Sequence, residues 1–307
     1  MPQSDLQNPI FHDDALAREW LENHLWPDGP VCPHCGSVDV TALKGKSHRP
    51  GLYQCKEKEC RQQFTVTVGT LYERSKIPLS KWLMATYLLC ASKKGMSTRQ
   101  LSRMLSVSVK SSWFMMHRIR ESMREKNVGG LGGANKVVEV DETYVGGKAK
   151  NKAFGDPPAK EPVVSLLERD GKVRSFHVET VNRKNLRPVL FGQIDRASYL
   201  MTDEAGVYTA HGKEFSGHGT VNHSIKEYVR GSFWHTNTVE SYFAIFKRGI
   251  TGNYQWVSGK HLKRYLGEFD FRYNTRDVSD MERASEALRG IQGKRLTYRR
   301  TNETANA

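Results

Sequence analysis

The chain has 307 residues, 38% of them hydrophobic, and 47 Lys and Arg against 33 Asp and Glu give it a net charge of +14. That apolar content suits a packed core and excludes a disordered chain, and no stretch reaches the roughly 18 uncharged apolar residues of a membrane span. The polar start Met1–Asp5 lacks the character of a secretory signal, which predicts a cytoplasmic protein. Residues 1–30 hold six acids and one base, Arg18, so the remainder carries +19. Such an excess favours a polyanionic partner, because Lys and Arg that neutralise phosphates release condensed counterions.

Helical apolar spacing over residues 10–26 (Ile10, Leu16, Trp20, Leu21, Leu25) predicts a small amphipathic helix. Cys32-Pro33-His34-Cys35, then Tyr53-Gln54-Cys55 and Cys60, then the alternating Phe64-Thr65-Val66-Thr67 read as two turn-borne cysteine pairs joined by short strands. Apolar residues wrap nearly all round residues 80–93, so that helix, with Cys90, is expected in a core. Ser97-Thr98-Arg99-Gln100 reads as a capping box opening a short helix through Leu105, and residues 109–123 form a longer one after a tight turn. The Val-Gly-Gly-Leu-Gly-Gly run within 127–135 marks a linker, with a new domain from Lys136. Strands are predicted at 137–145, 163–168, 174–181 and 198–202, and helices at 185–194, 238–248 and 261–273. Strands first and a long helix late suggest a mixed α/β core rather than a doubly wound sheet. Phe269, Phe271 and Tyr273 are read as packing residues, and residues 289–300, with five bases and no acid, as a tail.

Two residues separate Cys32 from Cys35, four separate Cys55 from Cys60, and 19 lie between the pairs. In a cytoplasmic chain such spacing is read for metal before disulfides. Four thiolates close a tetrahedral zinc site with zinc–sulfur distances near ~2.3 Å and no open position, so one structural Zn²⁺ is expected. His34 and His48 are read as surface residues.

Residues 92–126 carry nine bases against two acids within a three-helix pattern, the composition of a helix-turn-helix module. On its candidate recognition helix Lys110, Arg118 and Arg120 are the expected DNA contacts, while Trp113, Met116 and Met123 pack inward.

Two predicted strands end in acids, Asp141-Glu142 and Asp203-Glu204, and Thr236-Asn237 precede a helix with Glu240 in its first turn. Three such acids sharing a site would hold two hard cations, Mg²⁺ or Mn²⁺, about ~4 Å apart for phosphodiester chemistry. Each strand end offers two choices, with Glu142 and Glu204 the rivals. Lys247 lies two turns beyond Glu240 on the same face, and with Arg248 beside it is a candidate phosphate contact.

The order Val-Glu-Val-Asp-Glu-Thr-Tyr-Val-Gly-Gly (138–147), Thr-Asp-Glu (202–204), Val-Asn-His-Ser (221–224) and His-Thr-Asn-Thr-Val-Glu (235–240) with Lys-Arg-Gly-Ile (247–250) resembles the zinc-ribbon group of bacterial insertion-sequence transposases, over nearly the whole chain. The resemblance implies a ribonuclease-H-like catalytic core whose Asp-Asp-Glu triad falls on Asp141, Asp203 and Glu240, followed by Lys247. The 37 positions from Asp203 to Glu240 suit such a triad. It further implies binding of terminal inverted repeats in double-stranded DNA, metal-dependent strand cleavage and strand transfer, association with the nucleoid, and a homo-oligomer, a dimer on paired ends. His235 and Asn237 are further candidates for metal or DNA contact. Gly252-Asn253-Tyr254-Gln255-Trp256 departs from the family pattern, in which a histidine is expected after the tyrosine, and this bears on a local DNA contact. The expected organisation is an N-terminal helix and zinc ribbon (1–75), a helix-turn-helix module (76–127), the catalytic α/β domain (136–288) and a basic tail (289–307). The rival reading is a non-catalytic DNA-binding regulator built from the same modules.

Overall fold

The computed structural model describes residues 5–125, 129–146, 160–203, 206–221 and 235–297. Glu204, residues 222–224 of the family-like run, and Tyr298 to Arg300 of the tail lie outside the described residues. The chain divides into two compact units, residues 1–123 with 277–307, and residues 124–276.

In the first unit, Asp13 caps helix α1 (Asp14–Leu25), its carboxylate accepting from the amides of Ala15 and Leu16. Strands β1 (Val40–Ala42), β2 (Tyr53–Cys55) and β3 (Gln63–Phe64) form an antiparallel ribbon in that order. Helix α2 (Leu79–Ala91) is buried on most of its circumference, and Cys90 is a core residue at 1% exposure, as its all-round apolar pattern predicts. Ser97 caps α3 (Thr98–Leu105) through the Gln100 amide, Ser106 turns the chain at φ 50°, and α4 (Val109–Met123) follows. Met115, Met116, Ile119 and Met123 of α4 and Leu101 and Leu105 of α3 are buried.

The second unit is built on five strands, β4 (Val137–Val145), β5 (Glu161–Glu168), β6 (Val173–His177), β7 (Tyr199–Asp203) and β8 (Gly217–Val221). They lie in the order β6-β5-β4-β7-β8, antiparallel from β6 to β4 and parallel from β4 through β7 to β8. Because side chains alternate across a strand, odd and even positions of β4 and β5 serve different cores. Val138, Val140, Val164 and Leu166 pack with Leu186 and Leu190 of α5 (Arg183–Gln193) and Tyr208 of α6 (Gly206–Gly212). Val145, Val163 and Leu167 pack with Val239, Phe243 and Phe246 of α7 (Asn237–Gly249) and with Leu262, Leu266 and Phe269 of α8 (Gly259–Asn274). Two helical layers therefore cover the sheet. Burial of Phe269 and Phe271 makes them packing residues, as read from the sequence.

The chain then returns to the first unit with α9 (Asp280–Arg289), which opens on a capping box of Ser279 and Glu282 and packs against α2 and α4. A side chain at Gly290 would meet the Ser122 carbonyl at 2.1 Å, so only glycine permits that approach. The sequence reading ran the α/β domain through residue 288, whereas residues 277–288 group with the N-terminal helices, because Ala284, Ala287 and Leu288 are buried there. Among the described residues, no helix is long and apolar enough to cross a membrane.

Candidate active site

The ribbon brings its four cysteines together: Cys32 Sγ lies 3.8 Å from Cys60 Sγ and Cys35 Sγ 3.5 Å from Cys55 Sγ, and all four are free thiols. Tetrahedral coordination at ~2.3 Å puts sulfurs about 3.8 Å apart, whereas a disulfide needs ~2.05 Å, so the cluster has the dimensions of a zinc site. The four sulfurs all lie within 4.8 Å of one another. His34 and His48 are exposed and stand aside.

At the sheet, β7 stops at Asp203, and the parallel register that pairs Glu139 with Met201 sets Asp203 beside Asp141. Alternation sends Asp141 toward the α7 layer and Glu142 toward α6, where Tyr208 donates its hydroxyl to Glu142. Carboxylate oxygens of Asp141, Glu142 and Asp203 nevertheless gather within 4.8 Å of one another. Burial pushes the Asp141 carboxyl up to about 7, the Glu142 amide pulls it down, and the charges of Glu142, Asp203 and Glu240 raise it further. Burial also raises Glu142, partly offset by the Tyr208 hydroxyl. Concentrated hard oxygen donors with unfavourable mutual repulsion fit a divalent cation. Of the expected triad, Asp141 and Asp203 are in this oxygen cluster; Glu240 is close enough to act on Asp141, and its Oε1 accepts from the Thr236 hydroxyl at 2.9 Å.

Glu139 emerges as a site residue that the sequence reading passed over. It is fully buried, two residues before Asp141 on the same face of β4. Its Oε2 accepts from the amides of Thr238 and Val239, both at 3.0 Å, and its Oε1 accepts from Thr238 Oγ1 (3.0 Å) and Arg169 Nε (2.7 Å). His235 Nδ1 stands 3.3 Å from the same oxygen and Arg169 Nη2 donates to the His235 carbonyl. The signal was available: a fixed charge inside a strand flanked by buried valines requires buried partners. His235 thus stands beside Glu139, while Asn237 is exposed.

A polar row continues across the sheet on this face. Asp141 pairs with Ser165 and Ser165 with Ser175, whose hydroxyls meet at 2.8 Å. Ser175 and Tyr242, the latter two residues beyond Glu240, donate to Asp270 of α8. The middle of α7 is thereby keyed to the sheet.

The ISXO2-like transposase domain matches residues 131–274, which holds the whole sheet and the carboxylates, and the transposase zinc-ribbon domain matches residues 12–63, which holds all four cysteines. The chain thus carries an ISXO2-like transposase domain behind a transposase zinc ribbon. It is also 26% identical to an uncharacterized protein in transposable element ISH50 of Halobacterium salinarum, over 85% of this chain and 91% of that one.

Along the chain, the expected DNA contacts separate by exposure. Lys110 lies exposed near the start of α4, and Lys247 and Arg248 are exposed on α7. Arg120 is 1% exposed, and Arg118 is half-buried, donating to the Glu73 carbonyl at 3.2 Å with its guanidinium 4.5 Å from the Phe114 ring centroid. Arg120, expected at the DNA, is thus buried within the helical core, while Arg118 keeps part of its surface beside Phe114. Exposed Arg99 and Arg103 of α3 carry the charge at the surface instead. Tyr254, in the stretch that departs from the family pattern, donates to Glu268, and Trp256 is exposed.

Proposed function

We propose that the chain is a DNA transposase that binds the terminal inverted repeats of an insertion sequence and catalyses metal-dependent strand cleavage and strand transfer. The observation that carries this reading is the meeting of Asp141 and Asp203 on adjoining strands, with Glu240 near enough to raise the Asp141 carboxyl. The strand order and the acids at the strand ends support a ribonuclease-H-like core, and the capped α3, tight turn and α4 support a helix-turn-helix.

Asp141, Asp203 and Glu240, with Glu142 in reach, would hold two Mg²⁺ or Mn²⁺ ions, which when bound stabilise the attacking and leaving oxygens of a phosphodiester displacement. Asp141 and Asp203 supply ligands from rigid strands, and Glu240 from the first turn of α7. Lys247, seven residues on and exposed, holds a DNA phosphate as a point charge, and Arg248 adds a second. Lys110, with Arg99 and Arg103, faces the repeat DNA from the first unit. Cys32, Cys35, Cys55 and Cys60 hold one structural Zn²⁺. A dimer on paired ends, working on the nucleoid in the cytoplasm, completes the reading, since two ends must be handled together.

The test is strand cleavage and joining on a DNA fragment carrying the gene's own flanking repeats, in Mg²⁺, comparing wild type with Asp203→Asn. Loss of both reactions with repeat binding kept supports the reading. A wild type that binds the repeats but neither cuts nor joins in Mg²⁺ or Mn²⁺ is instead a DNA-binding regulator.

A further inference from the structure

Helix α7 begins without the usual local device. Its N-cap is Thr236, whose hydroxyl turns to the Glu240 carboxylate (2.9 Å) instead of capping the amides of the first turn. Those amides are orphans of helix geometry and need an acceptor. They find it 99 and 100 residues upstream, where the Thr238 and Val239 amides both donate to Glu139 Oε2 at 3.0 Å. A carboxylate at this position also complements the positive end of the helix dipole. Arg169 holds the other Glu139 oxygen at 2.7 Å, so the buried charge is paired and fixed in orientation.

We propose that Glu139 is the positioning residue for Glu240, a cap supplied by strand β4 that sets where the first turn of α7 presents its carboxylate. The proposal rests on the reading of Glu240 as a metal ligand. Glu139 and Asp141 lie on one strand, two residues and about 6.6 Å apart. One strand thus carries a ligand and the anchor of the ligand opposite it, which fixes their separation. Thr236 is released from capping and orients the Glu240 oxygen directly. Glu139 itself is buried and fully engaged, so it touches neither metal nor DNA.

The experiment uses the full chain with Mn²⁺ as the probe. Amide exchange is followed at Thr238 and Val239, and Mn²⁺ binding is titrated in wild type, Glu139→Gln, Glu240→Gln and the double variant. Glu139→Gln is expected to lose protection at those two amides while β4 and β5 keep theirs, and to weaken Mn²⁺ binding about 10- to 100-fold. In the Glu240→Gln background the same change is expected to cost less than about twofold, because residues acting through one another are non-additive. Glu139→Asp keeps the charge opposite Arg169 but withdraws the carboxylate by one methylene; it gives the same pattern in milder form and carries the test if Glu139→Gln does not fold. Unchanged exchange at Thr238 and Val239, or equal weakening of Mn²⁺ binding in both backgrounds, overturns the proposal. Wild-type Mn²⁺ binding by Glu240→Gln alone refutes the ligand reading, and the exchange data distinguish that result from a failure of the cap.

Discussion

Withdrawing zinc from the four-cysteine site unfolds the ribbon. The fully apolar interior of β1–β3 consists of little more than Phe64 with the cysteine side chains Cys32 and Cys55, flanked by partly buried Trp26, Val40, Tyr53 and Val68. A fully buried Phe contributes about 1.5–3 kcal/mol, whereas a structural zinc contributes about 10–16 kcal/mol in small zinc modules, so the metal decides whether the ribbon is ordered. Trp26 reports on it, because its ring lies edge-on to Tyr53 at 5.6 Å and to Phe64 at 5.9 Å. The perturbations are a zinc chelator and Cys55→Ser. The readouts are zinc content, expected at one ion per chain, Trp26 fluorescence taken as the difference from Trp26→Phe, and amide exchange across β2. Loss of the Trp26 signal and of β2 protection, restored by added Zn²⁺, is expected. A metal-free protein with β2 still protected refutes the reasoning.

Charge changes at the surface and in the core separate in their effects. Lys110→Ala is expected to shrink the slope of log affinity against log salt by about 0.9, one phosphate contact, while Arg120→Met leaves that slope unchanged. Arg118→Ala lowers the unfolding free energy by about 1–3 kcal/mol, since the Glu73 carbonyl loses its donor, and denaturant melts measure this. Burial pushes the Asp270 carboxyl up to about 7 from 3.8, against donors from Ser175 and Tyr242 that lower it. The folded state therefore keeps a proton that the unfolded chain releases, and stability falls as pH rises from about 4 to about 7. Asp270→Asn flattens that part of the stability–pH curve, and an unchanged curve contradicts the assignment.

Much of the second unit was legible because its strands are apolar runs with acids at their ends and its long helices are strongly periodic: β4 falls on the predicted 137–145, and α7 extends the predicted 238–248 by one residue at each end. What escaped had weak local signals. Strand β8 begins Gly-His-Gly, and glycine there reflects close packing, since a side chain at Gly217 would meet the Tyr199 ring at 2.6 Å. Helix α6 is seven residues long, too short for periodicity to show. The α9 capping box, Ser279 to Glu282, was present in the sequence, but only tertiary packing assigns that helix to the first unit. Arg120 shows the limit of counting charges: composition finds a basic helix, and only the fold tells which guanidinium group it buries.

The central claim, that Asp203 holds a catalytic cation beside Asp141, is tested most directly by exchanging its oxygen for sulfur. Asp203→Cys is expected to bind the flanking repeats, to cleave them negligibly in Mg²⁺, and to regain cleavage in the more thiophilic Mn²⁺ or Cd²⁺, because thiolate ligands select softer metals. Undiminished Mg²⁺-dependent cleavage by Asp203→Cys would contradict the claim.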